Sequence, residues 1–145
     1  MTLNKLVNGK RIELTQEEKQ SFNDAQPNND ELLNKTKVTR CLYIEEKRKE
    51  YQYSNIIFEG NSYEASFMAQ SKFLTFLLMN PTGDINWRLA DGETWITLDQ
   101  NQANSLKEAI ILREVTAYQH ESIKSREIKS ITTNPADVNN INWEL

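Results

Sequence analysis

The sequence predicts an α+β fold: a small antiparallel sheet of two hairpins packed on a buried helix and a long C-terminal helix, with a polar helical N-terminal section. Three observations lead there. Asp91-Gly92 stands between two runs rich in β-branched and aromatic residues, 85–90 and 93–98. Residues 66–80 carry apolar side chains at helical spacing. Residues 100–131 contain neither Gly nor Pro, enough for roughly 45 Å of uninterrupted helix.

Taken in order, the chain divides into a polar section, 1–53, and a section with a stronger folding signal, 54–145. Asn8-Gly9 predicts a first hairpin turn, because both residues tolerate positive φ. Thr15 and Glu18 have the spacing of a capping box, so a short helix should follow to about Ala25. Pro27 and Asn28-Asn29 should end it. A second helix is expected after Asp30, running to about Tyr51. Its apolar residues form no wide stripe and its last turns are all charge, so it needs a partner face.

In the second section, Gly60-Asn61 suggests another two-residue turn. It would set Phe58 opposite Tyr63 and Ile56 opposite Ala65. The helix over 66–80 is apolar nearly all round in its C-terminal half, the pattern of a buried central helix, with Phe73 and Phe76 in the core. Pro81 and Gly83 end it. If Asp91-Gly92 is a type I′ turn, Ala90 faces Glu93, Arg88 faces Trp95, Trp87 faces Ile96 and Ile85 faces Leu98. The alternation then sends Trp87 inward and Trp95 outward. Asp99 should cap the last long helix, with Gln102 completing the cap. Ala103, Leu106, Ile110, Ala117, Ile128 and Ile131 fall on one side of it. Trp143 is expected to dock as an anchor.

The chain has 145 residues, a net charge of -4, and 13 aromatics among a hydrophobic fraction of 38%. This excludes a wholly disordered chain and supports one domain-sized core. The charge argues against nucleic-acid binding. The best basic run, over 35–49, is broken by Glu45 and Glu46 and reads as a solvated helix face. A single cysteine, Cys41, excludes an internal disulfide and reads as a half-buried thiol. The longest apolar cluster is too short to span a bilayer, and the first residues have no apolar leader pattern, so a cytoplasmic site is expected.

No motif for catalysis, phosphate binding or metal ligation is visible. His120 has no second ligand at a suitable spacing and reads as solvent-facing. No catalytic residue, cofactor or metal is therefore assigned. The candidates that remain are partner contacts. Arg88 and Trp95 share the outward face of the hairpin, either as a cation–π pair or as a contact patch. Ile123, Ile128 and Ile131 lie on the polar rear of the last helix. That rear and the helix over 30–51 either cover each other as an antiparallel pair or pack on other chains.

From Tyr51 onward the chain resembles a domain of unknown function that recurs in bacteriophage tail-fibre proteins and in small proteins encoded beside them. The resemblance rests on Ile57-Phe58-Glu59-Gly60-Asn61, on Ile85-Asn86-Trp87-Arg88 with Asp91-Gly92 and Trp95-Ile96-Thr97-Leu98, on Ala109, Val115, Ala117 and Glu121 in the long helix, and on Asn142-Trp143. The stretch from Val7 to Glu18 is similar to the start of small tail-associated proteins. The family has no catalytic residues to carry over. The resemblance implies a non-catalytic tail-fibre-associated protein: an assembly chaperone binding the fibre's distal end, or else a structural virion component such as an adaptor or fibre segment. Its partners would be the fibre chain and copies of itself, with no nucleic acid and no membrane. Its place would be the host cytoplasm, or the virion tail if it is retained there.

Overall fold

The computed structural model describes residues 4–7, 9–24 and 28–145. The described elements run in the order β1 (Asn4–Val7), β2 (Lys10–Glu13), α1 (Gln16–Asp24), α2 (Asn29–Gln52), β3 (Ile56–Phe58), β4 (Asn61–Tyr63), α3 (Phe67–Met79), β5 (Ile85–Arg88), β6 (Trp95–Leu98), α4 (Gln100–Ser130) and α5 (Pro135–Asn139). The α+β class and the long C-terminal helix are as the sequence predicts.

The first hairpin closes around the expected turn: Val7 pairs with Lys10, and Gly9 takes φ +77°. Asn8 lies outside the described residues, as does the expected end of α1 at Ala25. The capping box is present. Thr15 Oγ1 accepts the Glu18 amide at 3.2 Å, and Glu18 Oε2 accepts the Thr15 amide at 3.0 Å. Lys5 pairs with Glu18 and Lys19 with Glu13, tying α1 to the hairpin. The next helix begins earlier than expected. Asn28 is its cap rather than a breaker, with Oδ1 accepting the Glu31 amide at 2.8 Å.

The β3–β4 turn is Glu59-Gly60, not Gly60-Asn61. Phe58 pairs with Asn61, and Ile56 with Tyr63. Both turn residues have positive φ, +47° and +79°, as a primed two-residue turn requires. The side-chain amide of Gln102 donates to Glu59 Oε2 at 3.1 Å, supporting the non-glycine residue in that conformation. The register slips by two residues, so each side chain keeps its face.

The β5–β6 register is as expected, with Ile85, Asn86, Trp87 and Arg88 opposite Leu98, Thr97, Ile96 and Trp95. Its tip is not a type I′ turn. The Gly92 amide donates to the Leu89 carbonyl at 3.1 Å, and the Leu89 amide to the Thr94 carbonyl at 2.8 Å. Asp91 has no positive φ; only Gly92 does. The loop is four residues long and centred where the two-residue loop would be, which is why the register survives. The Asp91 carboxylate holds it, accepting the Thr94 hydroxyl at 2.6 Å and the Glu93 and Thr94 amides at 2.9 Å. The Thr94 hydroxyl, then these amides, lower the Asp91 pKa.

The two hairpins do not merge into one continuous sheet. Each stays two-stranded, and they meet at one antiparallel bridge, Tyr63 to Leu89, with the Ala90 amide donating to the Ser62 carbonyl at 2.9 Å. Beneath them lies the first core, built from Ile56, Tyr63, Phe73, Ile85, Trp87 and Leu98 with Ala103, Leu106 and Ile110 of α4. Asp99 and Gln102 form the expected capping box at the start of α4.

A second core joins Leu33 and Ile44 of α2 to Ile128 of α4 and Val138 of α5, with Tyr43, Ile131, Ile141 and Trp143 packed against it. Its members come from both sides of residue 53, where the sequence suggests a division. The two long helices are antiparallel. Lys37 Nζ donates to the Lys129 carbonyl, Arg48 pairs with Glu121, and Gln52 bonds to Glu114, so residue numbers rise on one helix as they fall on the other. The polar helices therefore cover each other in part: Leu33, Ile44 and Ile128 are buried while Leu32, Val38, Leu42 and Ile123 stay exposed, and α5 with its flanks closes their end. Arg40 binds the Ile141 carbonyl and Asn142 Oδ1, each at 2.5 Å, and Asn29 binds the Thr133 carbonyl at 3.2 Å.

The basic run on α2 is not wholly a solvated face. Arg48 is buried, its Nε 2.7 Å from Glu121 Oε2 and its guanidinium 4.4 Å from the centre of the Tyr118 ring. Arg48 Nη1 also donates to Gln52 Oε1, and Gln52 Nε2 donates to Glu114 Oε1 at 2.9 Å. Gln70 of α3 reaches the Gln52 carbonyl at 3.1 Å and the Ala65 carbonyl at 2.7 Å. This polar chain links the two cores.

Candidate interaction surface

The surface is set by the alternation of β5 and β6. Trp87 points inward, 9% exposed, its ring centroid 5.0 Å from that of Phe73 and 6.0 Å from that of Phe76, both near edge-to-face. Trp95 points outward and is 65% exposed. Arg88 lies opposite Trp95 but does not stack on it among the described residues. Its Nη2 is 3.9 Å from Glu64 Oε2, and its Nη1 donates to the Gly92 carbonyl at 3.4 Å. Both Arg88 and Glu64 are half-exposed, so this pair adds little to stability.

The helix α3 is not buried all round. Ala69, Gln70 and Phe73 face the core, while Phe67, Met68, Phe76, Leu78 and Met79 are exposed. Phe76, expected in the core, touches Trp87 with one face and leaves the other open. The reason is geometric. Two short hairpins cover only one side of a thirteen-residue helix, and among the described residues no further layer lies over the other.

Between α3 and the hairpin is a cleft of about 340 Å³. Trp87 lies at its base; Met68, Phe76 and Trp95 supply apolar walls; Lys72, Arg88 and Glu64 supply charge. Of the residues singled out in the sequence, Arg88 and Trp95 meet here. Ile123 lies away from this cleft on α4 and is exposed. Ile128 has no exposed surface, and Ile131 is partly buried against the second core. The five therefore do not form one site, and Ile128 is core rather than contact. The sequence does not mark Met68, Lys72 and Phe76 as cleft residues, because the C-terminal half of the helical run is apolar nearly all round and reads as buried. Lys72, a charge in the middle of that run, was the available signal.

Ile123→Asp should shift a urea midpoint by no more than the equivalent of about 0.5 kcal/mol, the usual range for exposed positions. A larger loss would mean that Ile123 is covered.

His120 is not solvent-facing. Its ring meets Trp143 edge-on at 4.5 Å, and its Nε2 is buried with no hydrogen-bond partner among the described residues. Burial, with Lys124 adding to it, pushes the imidazole pKa down from 6.5. The unfolded chain thus binds the proton more tightly than the folded one. The stability that follows is present above about pH 6.5 and is lost as pH falls from there through the lower folded value. Urea midpoints should fall between pH 7.5 and pH 5.5, and His120→Gln should flatten that slope. An unchanged slope in the variant would place its origin elsewhere.

Among the described residues, no group of three or more His, Cys, Asp or Glu side chains could hold a metal ion. Among the described residues, no helix is long and apolar enough to cross a membrane. Comparison with protein-family models, with curated proteins and with solved structures finds no match.

Proposed function

We propose that this chain is a non-catalytic bacteriophage tail-fibre-associated protein that acts as an assembly chaperone in the host cytoplasm, binding the distal end of the fibre. The observation that carries the reading is the open apolar side of α3: Leu78 is 82% exposed and Met79 79%, beside Phe67, Met68 and Trp95. Large apolar side chains exposed along one helix favour protein association. The resemblance of the domain to tail-fibre proteins supplies the partner. The paired helices α2 and α4 bury Leu33, Ile44 and Ile128, and their exposed Val38 and Leu42 stand among Lys37, Glu45, Glu121 and Lys129, so the gripping surface is assigned to α3 and the hairpin instead.

The test is co-expression with the tail-fibre chain of the same phage. Soluble fibre trimer should form in good yield with this protein and poorly without it. Met68→Asp with Leu78→Asp changes only exposed positions and should lower the yield while leaving the protein folded. If trimer forms equally well without the protein, the chaperone reading fails. A fixed copy number in purified particles, matching the tail symmetry, would then make it a structural component.

A further inference from the structure

We infer that the cleft between α3 and β5 binds an extended, acidic peptide segment as an added β-strand, with one apolar side chain of that segment seated over Trp87. Three independent features converge on this occupant. The first is an open backbone edge. The Leu89 amide donates to the Thr94 carbonyl, and partners in an antiparallel ladder alternate. Ile85 and Trp87 therefore turn their amides and carbonyls toward β6, while Asn86 and Arg88 turn theirs to the opposite edge. The other hairpin takes one end of that edge at the Tyr63–Leu89 bridge and the Ala90–Ser62 bond, and Asn80 Nδ2 donates to the Asp84 carbonyl at 3.4 Å at the other, so the open stretch centres on Asn86. Apart from that bridge, β5 has β6 as its one strand partner among the described residues. An unpaired edge beside a groove is the setting for strand addition, in which main-chain bonds hold the segment and side-chain pockets select it.

The second feature is the cleft itself. Its volume of about 340 Å³ has room for an aromatic or long aliphatic side chain. Met68 and Phe76 on one wall and Trp95 on the other would enclose that side chain. Exposed Met and Trp side chains are well suited to such an anchor.

The third feature is charge. Lys72 and Arg88 stand at the cleft against one carboxylate, Glu64. Glu64 already accepts the Ser66 hydroxyl at 2.7 Å and lies 3.9 Å from Arg88. Lys72 has no ion-pair partner among the described residues. Arg88 is answered by Glu64 and has Asp91 within electrostatic reach, so Lys72 is the cation left to favour an acidic side chain of the segment over a basic one.

The inference deepens the proposed function by naming the chemistry of the bound segment. Its test uses no fibre chain, so either can fail while the other stands. The probe is a library of random dodecapeptides selected on the immobilised full chain, with the Trp95→Ala variant as the counter-selection. Enriched sequences should carry an aromatic or aliphatic anchor flanked by Asp and Glu. Lys72→Glu with Arg88→Glu should weaken the best of these by about tenfold or more, because like charges would then face each other. N-methylation of its backbone should abolish binding at alternate residues, the signature of a strand on an edge. No enrichment over Trp95→Ala overturns the proposal, as does enrichment without acidic residues. Sensitivity at every third or fourth residue would mean a bound helix and would also overturn it. So would self-association through the Trp95 face without peptide selection, which would give the cleft to a second copy.

Discussion

Replacing Trp87 by alanine should destabilise the protein by about 3–5 kcal/mol, whereas Trp95→Ala should cost under about 1 kcal/mol. The two residues differ by the parity of their positions in one hairpin. Trp87 is packed edge-on against Phe73 and Phe76 and is 9% exposed; Trp95 is 65% exposed. Truncating Trp87 leaves a cavity between α3 and the hairpin that neither can close, since Phe73 is itself pinned in the core. Truncating Trp95 removes a side chain that water already reaches. Urea titrations of the two variants give the comparison directly. Equal losses would mean that Trp95 is covered by something other than solvent.

Arg48→Ala should cost about 3 kcal/mol, near the lower end for breaking a buried ion pair, because Glu121 keeps some contact with water. The loss has several parts. Glu121 forfeits its partner, Gln52 forfeits a donor, and the Tyr118 ring loses the guanidinium over its face. Most of the cost is the desolvated acceptors left behind rather than the net worth of the pair. Arg48→Met combined with Glu121→Leu should therefore recover most of the stability lost in Arg48→Ala. A double variant no better than the single one would show that Gln52, and not Glu121, is the residue that needs the arginine.

Where local chemistry decided the outcome, the sequence was a good guide. The capping boxes at Thr15 and Asp99 depend on residues three apart. The period of two in the β5–β6 hairpin separates Trp87 from Trp95 even though the tip is a four-residue loop held by Asp91 rather than a type I′ turn. The stripe of Ala103, Leu106, Ile110, Ala117 and Ile128 is buried along the whole of α4. What was not legible depends on partners distant in sequence. Glu59 takes positive φ where Gln102, far along the chain, bonds its side chain. Arg48 looked like one more charge on a polar helix until Glu121 and Tyr118 arrived from α4. His120 is covered by a Trp that follows it by more than twenty residues. The candidate surface was half legible. Arg88 and Trp95 could be placed from the hairpin alone, but the C-terminal half of α3 reads as buried by its composition, and its exposure reflects how little sheet there is to cover it.

The second core has a consequence for the order of events during synthesis. Residues 29–52 leave the ribosome long before residues 128–143, yet they share a core with them. A helix that is polar around most of its circumference gains little by forming alone. Until the rear of α4, α5 and Trp143 have emerged, Leu33 and Ile44 have no native surface to meet. The hairpins and α3 can close their own core with the front of α4 in the meantime. The nascent chain thus completes its middle first. Its early helix stays exposed to chaperones and proteases until residues made nearly a hundred positions later fold back over it.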